Sequence, residues 1–525
     1  MSRHDYVVVG GGSAGCVAAA ELAAAGKRVL LLEAGPAAEE HPATLDADGY
    51  KDTFVNDAVF FDRFTVPQAH CGGNRVFIGT GRVMGGSGSV NGMVYTRGAR
   101  QDFDEWPAGW RWSDVVPDFE AIEARLRPRH REPTRWTRAC ISAAEACGFR
   151  HRGDFNDGDL EAVIGHEWMN YEGDRRRSSY VAFVADSRPA GLTVVTGAEV
   201  RRIVIEEGRA VAVEYTAGGE ARRVEVGREV VMSAGALETP RILQLSGVGP
   251  GAVLRAAGVP VVCEAPGVGA DLHDHPNVPV FFRSRHPVDA RYPQLYSFYR
   301  TFPESQLPAG QSDTCYVFWP APSAMKQAMQ RVLPGMVLPP RLYAGAPRRW
   351  VRKAVEAAFS LGAAQRMVEH LFGIVVILGK PRSRGSVRIT SADPRAPAAI
   401  DPAYLAHPED RAVLARGVTV ARRLASSGEL GEWVKGELSP GPIARRQRSI
   451  ERWVGKNLIT TYHFAATCRM GDDAAAPTDT RLRLRGVRGV RIADASAIPT
   501  TPVSALNAPS MLVGYRAARY LLDEG

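Results

Sequence analysis

The chain opens on a change of period. Tyr6 to Val9 is a short apolar run that reads as a strand, and Gly10-Gly11-Gly12-Ser13-Ala14-Gly15 is a turn. Cys16 to Ala25 is alanine-rich and reads as a helix ended by Gly26. Arg28 to Leu32 then predicts a second strand, closed by the acid Glu33. Residues 70 to 100 are rich in glycine and predict loop wrapped around something, not a packed element. Short β-rich runs follow at Leu192 to Thr196, Ile203 to Glu206, Ala210 to Tyr215 and Glu229 to Ser233, then a helix from Leu237 to Leu245. Residues 280 to 380 carry many prolines and aromatics and little regular period. Within them Arg348 to Met367 predicts a basic amphipathic helix, with Trp350, Val351, Ala354, Val355, Ala358 and Phe359 on one side. Leu371 to Leu378 reads as a buried strand, Val490 to Ile492 as another, and Ala508 to Leu522 as a closing helix.

Length adds a constraint. At 525 residues the chain exceeds one ordinary core, so two units are expected. No internal repeat or low-complexity linker separates them, which predicts units interleaved in sequence and not joined in tandem. The apolar stretch near Leu371 is far shorter than the ~20 residues a bilayer crossing needs. Met1 is followed by polar residues and then a strand, without an apolar leader, so a cytoplasmic protein is expected. The 7 cysteines are scattered, with no Cys-x-x-Cys pair, which suits a reducing compartment and predicts no disulfide framework. The net charge of +8, from 65 basic and 57 acidic residues, is thin for this size; with no concentrated basic module, a nucleic-acid partner is not expected.

The first chemical signal is Gly10-x-Gly12-x-x-Gly15 between a strand and a helix. Gly10 permits the tight turn, Gly12 lets backbone approach a pyrophosphate, and Gly15 lets helix and strand pack closely. The helix N-terminus presents free N–H groups to the phosphates. Glu33, at the end of the second strand, sits where a carboxylate accepts hydrogen bonds from a ribose. The motif by itself does not separate FAD from NAD.

Further motifs do. Gly81-Arg82-Val83-Met84-Gly85-Gly86-Ser87-Gly88-Ser89-Val90-Asn91-Gly92-Met93 resembles the first signature of the glucose–methanol–choline (GMC) oxidoreductases. Gly235-Ala236-Leu237-Glu238-Thr239-Pro240 and the residues after it to Gly249 resemble the second. Gly267 to His275 and Val490 to Pro499 are similar to other segments of that family, in its order. The resemblance runs from residue 6 to 522 and lacks a matching motif only at about 280 to 375.

That resemblance implies an α/β Rossmann-type FAD-binding domain interleaved with an α+β substrate domain built on an antiparallel sheet. It implies a mainly FAD-binding part at 1–280 with substrate-domain pieces at about 100–190, a mainly substrate-binding part at 281–480, and a return to the FAD domain at 481–525. Ser13, Ala14, Glu33 and Ala34 would meet the ADP half, and the backbone of Val200 the adenine. Val83, Gly85, Gly86, Ser87, Asn91, Gly92, Met93 and Val94 would wrap the flavin; Asp494 and Ala495 would contact the ribityl and pyrophosphate. Val90 stands where some members carry a histidine bonded to the flavin, so non-covalent FAD is implied. Met84 is close to a volume-conserving departure. His273 and His275 form a His-x-His pair, but two ligands without a carboxylate or thiolate cluster predict no metal.

Catalytic candidates come last. Thr461-Tyr462-His463-Phe464 resembles the family's histidine motif, and Asn507 falls at its partner position. Alcohol oxidation removes a hydroxyl proton and a carbon-bound hydride. An imidazole takes the first, and an amide holds the oxygen while flavin N5 receives the second. Phe464 and Ala466 replace a proline and a glycine common beside that histidine, which bears on pocket shape. Cys468 carries no activating neighbour in sequence and reads as a small buried residue. The expected substrate is an apolar or aromatic alcohol, with the electron acceptor left open. A cyanohydrin lyase or a light-driven fatty-acid decarboxylase of the same family is the alternative. The Arg348 to Met367 helix is expected to be a lid packed on the substrate sheet, with contact to a membrane surface as its other reading.

Overall fold

In the computed structural model, which describes residues 4–343 and 345–524, two sheets draw on the chain by turns. The first is built on β1 (His4–Val9), paired in parallel with β2 (Val29–Leu32) and with the end of the strand Glu220–Met232. Leu192–Val195 and Val490–Ile492 extend it in parallel on either side. Every β2 residue is buried, as expected of a strand covered on both faces. The helix α1 (Ser13–Ala24) covers one face and crosses the closing helix Asn507–Asp523 at Gly514. A Cβ there would lie 2.3 Å from the Ala14 carbonyl oxygen, so glycine is what lets the two helices touch.

The strands Ala198–Glu206, Arg209–Ala217 and Glu220–Met232 form a longer antiparallel ribbon than the apolar runs predicted. Their outer halves alternate charged residues, such as Glu220, Arg222 and Arg223, which hides them from a reading keyed to apolar runs.

The second sheet is almost wholly antiparallel and centres on Pro276–Ser284, Leu371–Leu378, Thr314–Pro320 and Leu295–Tyr299. Side chains alternate across it. Val278, Val280, Phe282, Tyr316, Phe318, Ile374 and Val376 enter a core with the helix Pro408–Ala425. The other parity, Asn277, Pro279, Phe281, Val317, Trp319, Val375 and Ile377, faces a cavity. Gly373 pairs with both Phe281 and Trp319, and a Cβ on it would come within 3.2 Å of the Phe281 ring. The missing side chain lets those rings meet, with centroids 6.1 Å apart.

Three expectations differ. Within 100–190, Val163–His166 joins the second sheet, whereas Phe103, Trp106, Trp110, Trp112 and Phe119 pack into the first core. The helix Trp112–Leu126 lies on the closing helix, held by Arg516 Nε donating to buried Asp118 at 2.5 Å. Ala465, Ala466, Cys468 and Met470 also belong to the first core, so the chain returns there before residue 481. Finally, Arg348 to Met367 is two helices, Ala346–Ser360 and Gly362–Glu369, broken at the extended Leu361 beside a glycine.

The lid differs from expectation in what it packs on as well. Ala346–Ser360 lies on the helix Met325–Val337, away from the sheet. Val351, Val355 and Phe359 turn inward, while Ala354 and Ala358 are exposed and Trp350 is 68% exposed. Ion pairs choose that face. Arg331, Arg348 and Arg352 converge on Asp57, and Arg348 also reaches Asp62. No helix among the described residues is long and apolar enough to cross a membrane.

Candidate active site

A cavity of ≈ 820 Å³ opens where the parallel strands end. That size is within the ~300–1,000 Å³ of ligand sites, and strand carboxyl ends are where open α/β sheets bind them. β1 delivers Val9 and Gly10, β2 delivers Leu32 and Glu33, Glu220–Met232 leads into Ser233 and Ala234, and Val490–Ile492 into Asp494 and Ala495.

The glycine turn is built to different tolerances at its three positions. Gly10 has φ +100° and a Cβ on it would meet the Ser233 carbonyl at 2.5 Å; on Gly15 a Cβ would meet the Gly10 carbonyl at 1.9 Å. On Gly12 the nearest protein atom would be 4.0 Å away. Gly10 and Gly15 are therefore needed by the protein itself, and Gly12 keeps backbone bare toward the cavity. Glu33 is buried, and its two oxygens accept from Gly11 N–H and Gly35 N–H at 2.8 Å each. Burial raises its pKa against those two hydrogen bonds. Each oxygen keeps a second lone pair for a ribose hydroxyl. Val200 borders a bulge in the ribbon, where the pairing with Arg209–Ala217 skips Arg201. Asp494 accepts from Gly235 N–H, Thr239 Oγ1 and Ser496 N–H at 2.8, 2.6 and 2.8 Å. This set of bare backbone, helix N-terminus, strand-end acid and wrapping loop fits a dinucleotide such as FAD.

The catalytic candidates line the same cavity. Asn507 opens the closing helix, and its Oδ1 accepts from Ser13 Oγ at 2.7 Å, so its amide N–H₂ is left for the cavity. His463 lies in a tight turn in which Tyr462 holds φ +63°, a strained value for a bulky residue. Buried Asp274 fixes that turn, accepting from His463 N–H at 2.7 Å and from the Tyr404 and Thr460 hydroxyls at 2.5 Å each. Burial raises the Asp274 pKa, and these hydrogen bonds oppose the rise. Removing the carboxylate strands three buried donors, which costs about 1–3 kcal/mol for each unsatisfied group. Asp274→Ala is therefore expected to lower the urea midpoint of unfolding clearly, and Asp274→Asn, which keeps one acceptor, by less.

His463 Nδ1 lies 2.9 Å from His275 Nδ1, with the rings edge to face. Neither ring is charged at neutral pH. Burial pushes His463 down to about 4, and burial together with the His463 ring pushes His275 well below its ordinary value. One Nδ1 must then donate and the other accept. If His463 is to present a bare Nε2, its Nδ1 carries the proton and His275 accepts it. His275 then keeps its own proton on Nε2, and the Gly379 backbone favours its protonated form. His273 is separate from this pair, with Nδ1 against the Asp271 carbonyl at 2.8 Å and Nε2 accepting from Thr501 N–H at 3.3 Å. No group of three metal-ligating side chains occurs among the described residues.

The cavity gathers Gly10, Gly12, Ser13, Ala14, Glu33, Ala34, Gly86, Ser87, Asn91, Gly92, Val94, Val200, His463, Asp494, Ala495 and Asn507. Gly15, Val83, Gly85 and Met93 lie behind its wall. Gly15 is spent on β1–α1 packing, and Val83 packs with Val59, Phe60 and Val90. Gly85 donates to the Gly11 carbonyl at 2.7 Å with φ +87°, and Met93 is buried against Ala47 and Met169. Phe54, Trp319, Met325 and Tyr462 line the cavity without having been singled out as site residues. Phe54 comes from far up the chain and Trp319 and Met325 from the motif-poor middle, where only the period-two face of Thr314–Pro320 signals one of them; Tyr462 stands within the histidine motif, next to His463. Cys468 is fully buried, and burial raises its thiol pKa, so it offers no nucleophile.

Residues 4–277 and 381–514 match the N- and C-terminal parts of the family described as GMC oxidoreductase. An oxygen-dependent choline dehydrogenase of Vibrio vulnificus is 32% identical over 566 residues, covering 100% of this chain and 95% of that protein. An uncharacterized GMC-type oxidoreductase of Mycobacterium tuberculosis is also 32% identical, over 98% of this chain and 99% of its own length. Among solved structures, pyridoxine 4-oxidase from Mesorbium loti is similar with a TM-score of 0.85 at 27% identity, covering 98% of this chain and 99% of that one.

Proposed function

The chain belongs to the GMC oxidoreductase family, and on that premise we propose that it oxidises the CH–OH group of a small apolar or aromatic alcohol with non-covalently held FAD. The observation that carries the reading is the meeting of His463 and Asn507 in one cavity with the strand-end crevice. The unit around the parallel sheet holds the cofactor, and the antiparallel sheet covers the substrate. Val90, an alkyl side chain on the wrapping loop, has no atom able to bond the flavin.

Bound FAD supplies the redox chemistry, receiving the hydride from the carbinol carbon. The chain's own residues do the rest. His463 Nε2 takes the hydroxyl proton, and the Asn507 amide donates to the alcohol oxygen, which leaves as the oxygen of an aldehyde or ketone. His275, by accepting from His463 Nδ1, keeps Nε2 free of a proton beforehand and stabilises the imidazolium afterwards. It is a positioning residue, comparable to the carboxylate of a catalytic triad but neutral.

Substrate class follows from the lining. Phe54, Phe281, Trp319, Met325, Met329 and Tyr462 line the cavity. Of the lining acids, Glu238 is held by Arg63 and Arg241. No spare carboxylate faces a cationic substrate among the described lining residues, since Glu33, Glu199 and Asp494 belong to the cofactor side. A neutral aromatic alcohol therefore fits better than choline. The test is anaerobic mixing of the FAD-loaded protein with an alcohol panel in the dark, following the flavin's visible absorbance. Bleaching by benzylic alcohols at lower concentration than by choline is expected. A panel in which no alcohol bleaches the flavin would overturn the reading.

A further inference from the structure

Among the described residues, three arginines have fully buried side chains: Arg176, Arg331 and Arg491. Arg331 reaches Asp57, and Arg491 reaches Glu229 and Glu524. Arg176 reaches no carboxylate among the described residues. Its neighbour Arg177 shows the contrast, bridging Glu172 and Asp186. The Arg176 guanidinium instead gives all its hydrogen bonds to the glycine-rich loop: Nη1 to the Gly88 carbonyl at 3.1 Å and to Asn91 Oδ1 at 2.8 Å, and Nη2 to the Asn91 carbonyl at 2.7 Å. Its Nε has no hydrogen-bond partner among the described residues. A buried charge left without a counter-ion is costly, and such charges persist where something is bound against them. Burial pushes this group down to about 9, with distant Asp46 and Tyr50 opposing, so it stays protonated at neutral pH.

The carbonyls it grips decide where the loop's donors point. A trans peptide is planar, with its N–H directed opposite to its C=O. The Asn91 carbonyl turns back to Arg176, so the N–H of Gly92, in the same peptide, turns away from it. Gly92 and Asn91 both line the cavity, and the Gly92 N–H has no protein acceptor among the described residues. Asn91 Oδ1 also accepts from Met93 N–H at 2.9 Å, pinning Met93 at φ +66° and closing the turn. The result is an electropositive wall: a peptide donor aimed into the cavity, backed by an unpaired guanidinium.

We propose that Arg176 is a positioning residue that sets the electron affinity of the bound flavin by placing an uncompensated positive charge behind the loop, while its fork turns the Gly92 N–H toward the cavity as a contact that binds the cofactor. The proposal rests on FAD occupying this cavity. A flavin that takes up a hydride gains two electrons, and a fixed positive potential favours that electron-rich form.

The experiment compares the midpoint potential of the FAD-loaded wild type with those of Arg176→Gln and Arg176→Lys, by equilibration against reference dyes. FAD affinity is measured alongside by titrating the apoproteins. Gln keeps a donor and removes the charge; Lys keeps the charge and loses the fork that holds both carbonyls. The expected result is a flavin at least tenfold harder to reduce in Arg176→Gln, a drop of about 30 mV for a two-electron couple. Arg176→Lys should hold a potential near that of the wild type while binding FAD more weakly. A Gln variant that keeps FAD at an unchanged potential overturns the proposal. If Arg176→Gln does not fold, Arg176→Lys decides, and a lowered potential there overturns it too. A wild-type protein that binds no FAD would sink the premise as well; a yellow wild type with unmoved variants sinks this proposal alone.

Discussion

Replacing His463 with alanine is expected to slow alcohol-dependent flavin reduction by about 10²–10⁴-fold, the usual worth of a positioned general base, while FAD stays bound. Retention of FAD follows from the map of the cavity. His463 belongs neither to the Gly10–Gly15 turn nor to the strand-end acids, and its backbone is held by Asp274. The pH dependence has a definite sign. The base must be unprotonated, and burial holds its pKa at about 4. Reduction should therefore rise with pH through about 4 and stay flat across neutrality in the wild type, a profile that stopped-flow reduction measures. His275→Phe should slow reduction by less than His463→Ala, because the base survives with its tautomer no longer fixed. The same burial has a stability consequence. The folded chain keeps His463, His275 and His273 neutral where the unfolded chain protonates them. Stability is thus present above pH 6.5 and lost as pH falls from there toward 4. A profile pinned at neutral pH, or a His463→Ala protein reduced at the wild-type rate, would remove His463 from the chemistry.

How much of this was legible in the sequence depended on contact range. The β1–α1–β2 start was readable because its constraints are local: strand, turn and helix follow one another within 33 residues, and Gly10 and Gly15 answer to each other across five. The continuous apolar run of Leu371–Leu378 was readable for a similar reason, being buried at every position but Val375. Asn507 and His463 became candidates through resemblance, and no local period marks either. Their partners were out of reach of any pattern. His275 meets His463 across 188 positions and Ser13 meets Asn507 across 494. The His-x-His pair predicted no metal, but its spacing gave no sign that the two rings enter different networks.

The lid shows a different failure. Its apolar residues predicted which face would pack, yet Arg348 and Arg352 share the inward face with Val351 and Val355, and Trp350 is left outside. An amphipathic pattern assumes that charge faces water. Here the acids Asp57 and Asp62, nearly 300 positions earlier, bring the arginines inward and reverse that assumption. Val83, Gly85 and Met93 teach the same point at the loop. The signature marks residues that shape the wrap as well as those that line it, and sequence spacing does not tell them apart.

The glycine turn offers the sharpest separation of packing from binding. Gly15→Ala places a Cβ 1.9 Å from the Gly10 carbonyl, a contact that backbone must move to relieve. Overpacking of that kind costs about 1–3 kcal/mol, and the displaced turn is the one that faces the phosphates. The variant should lose stability as apoprotein and bind FAD about 10–100-fold more weakly, since each 1.4 kcal/mol is about tenfold. Gly12→Ala is the opposite case. Its Cβ would find no protein atom nearer than 4.0 Å, so the apoprotein should unfold at the wild-type urea concentration or slightly above it. The methyl group would nonetheless stand on the bare backbone that faces the cavity, and FAD affinity should fall by a factor similar to that in Gly15→Ala. Titrating each apoprotein with FAD, beside urea unfolding without it, reads the two effects separately. If Gly12→Ala bound FAD as the wild type does, the pyrophosphate could not lie against that backbone. The role given to the first turn would then pass to Gly10 and Gly15 as packing residues alone.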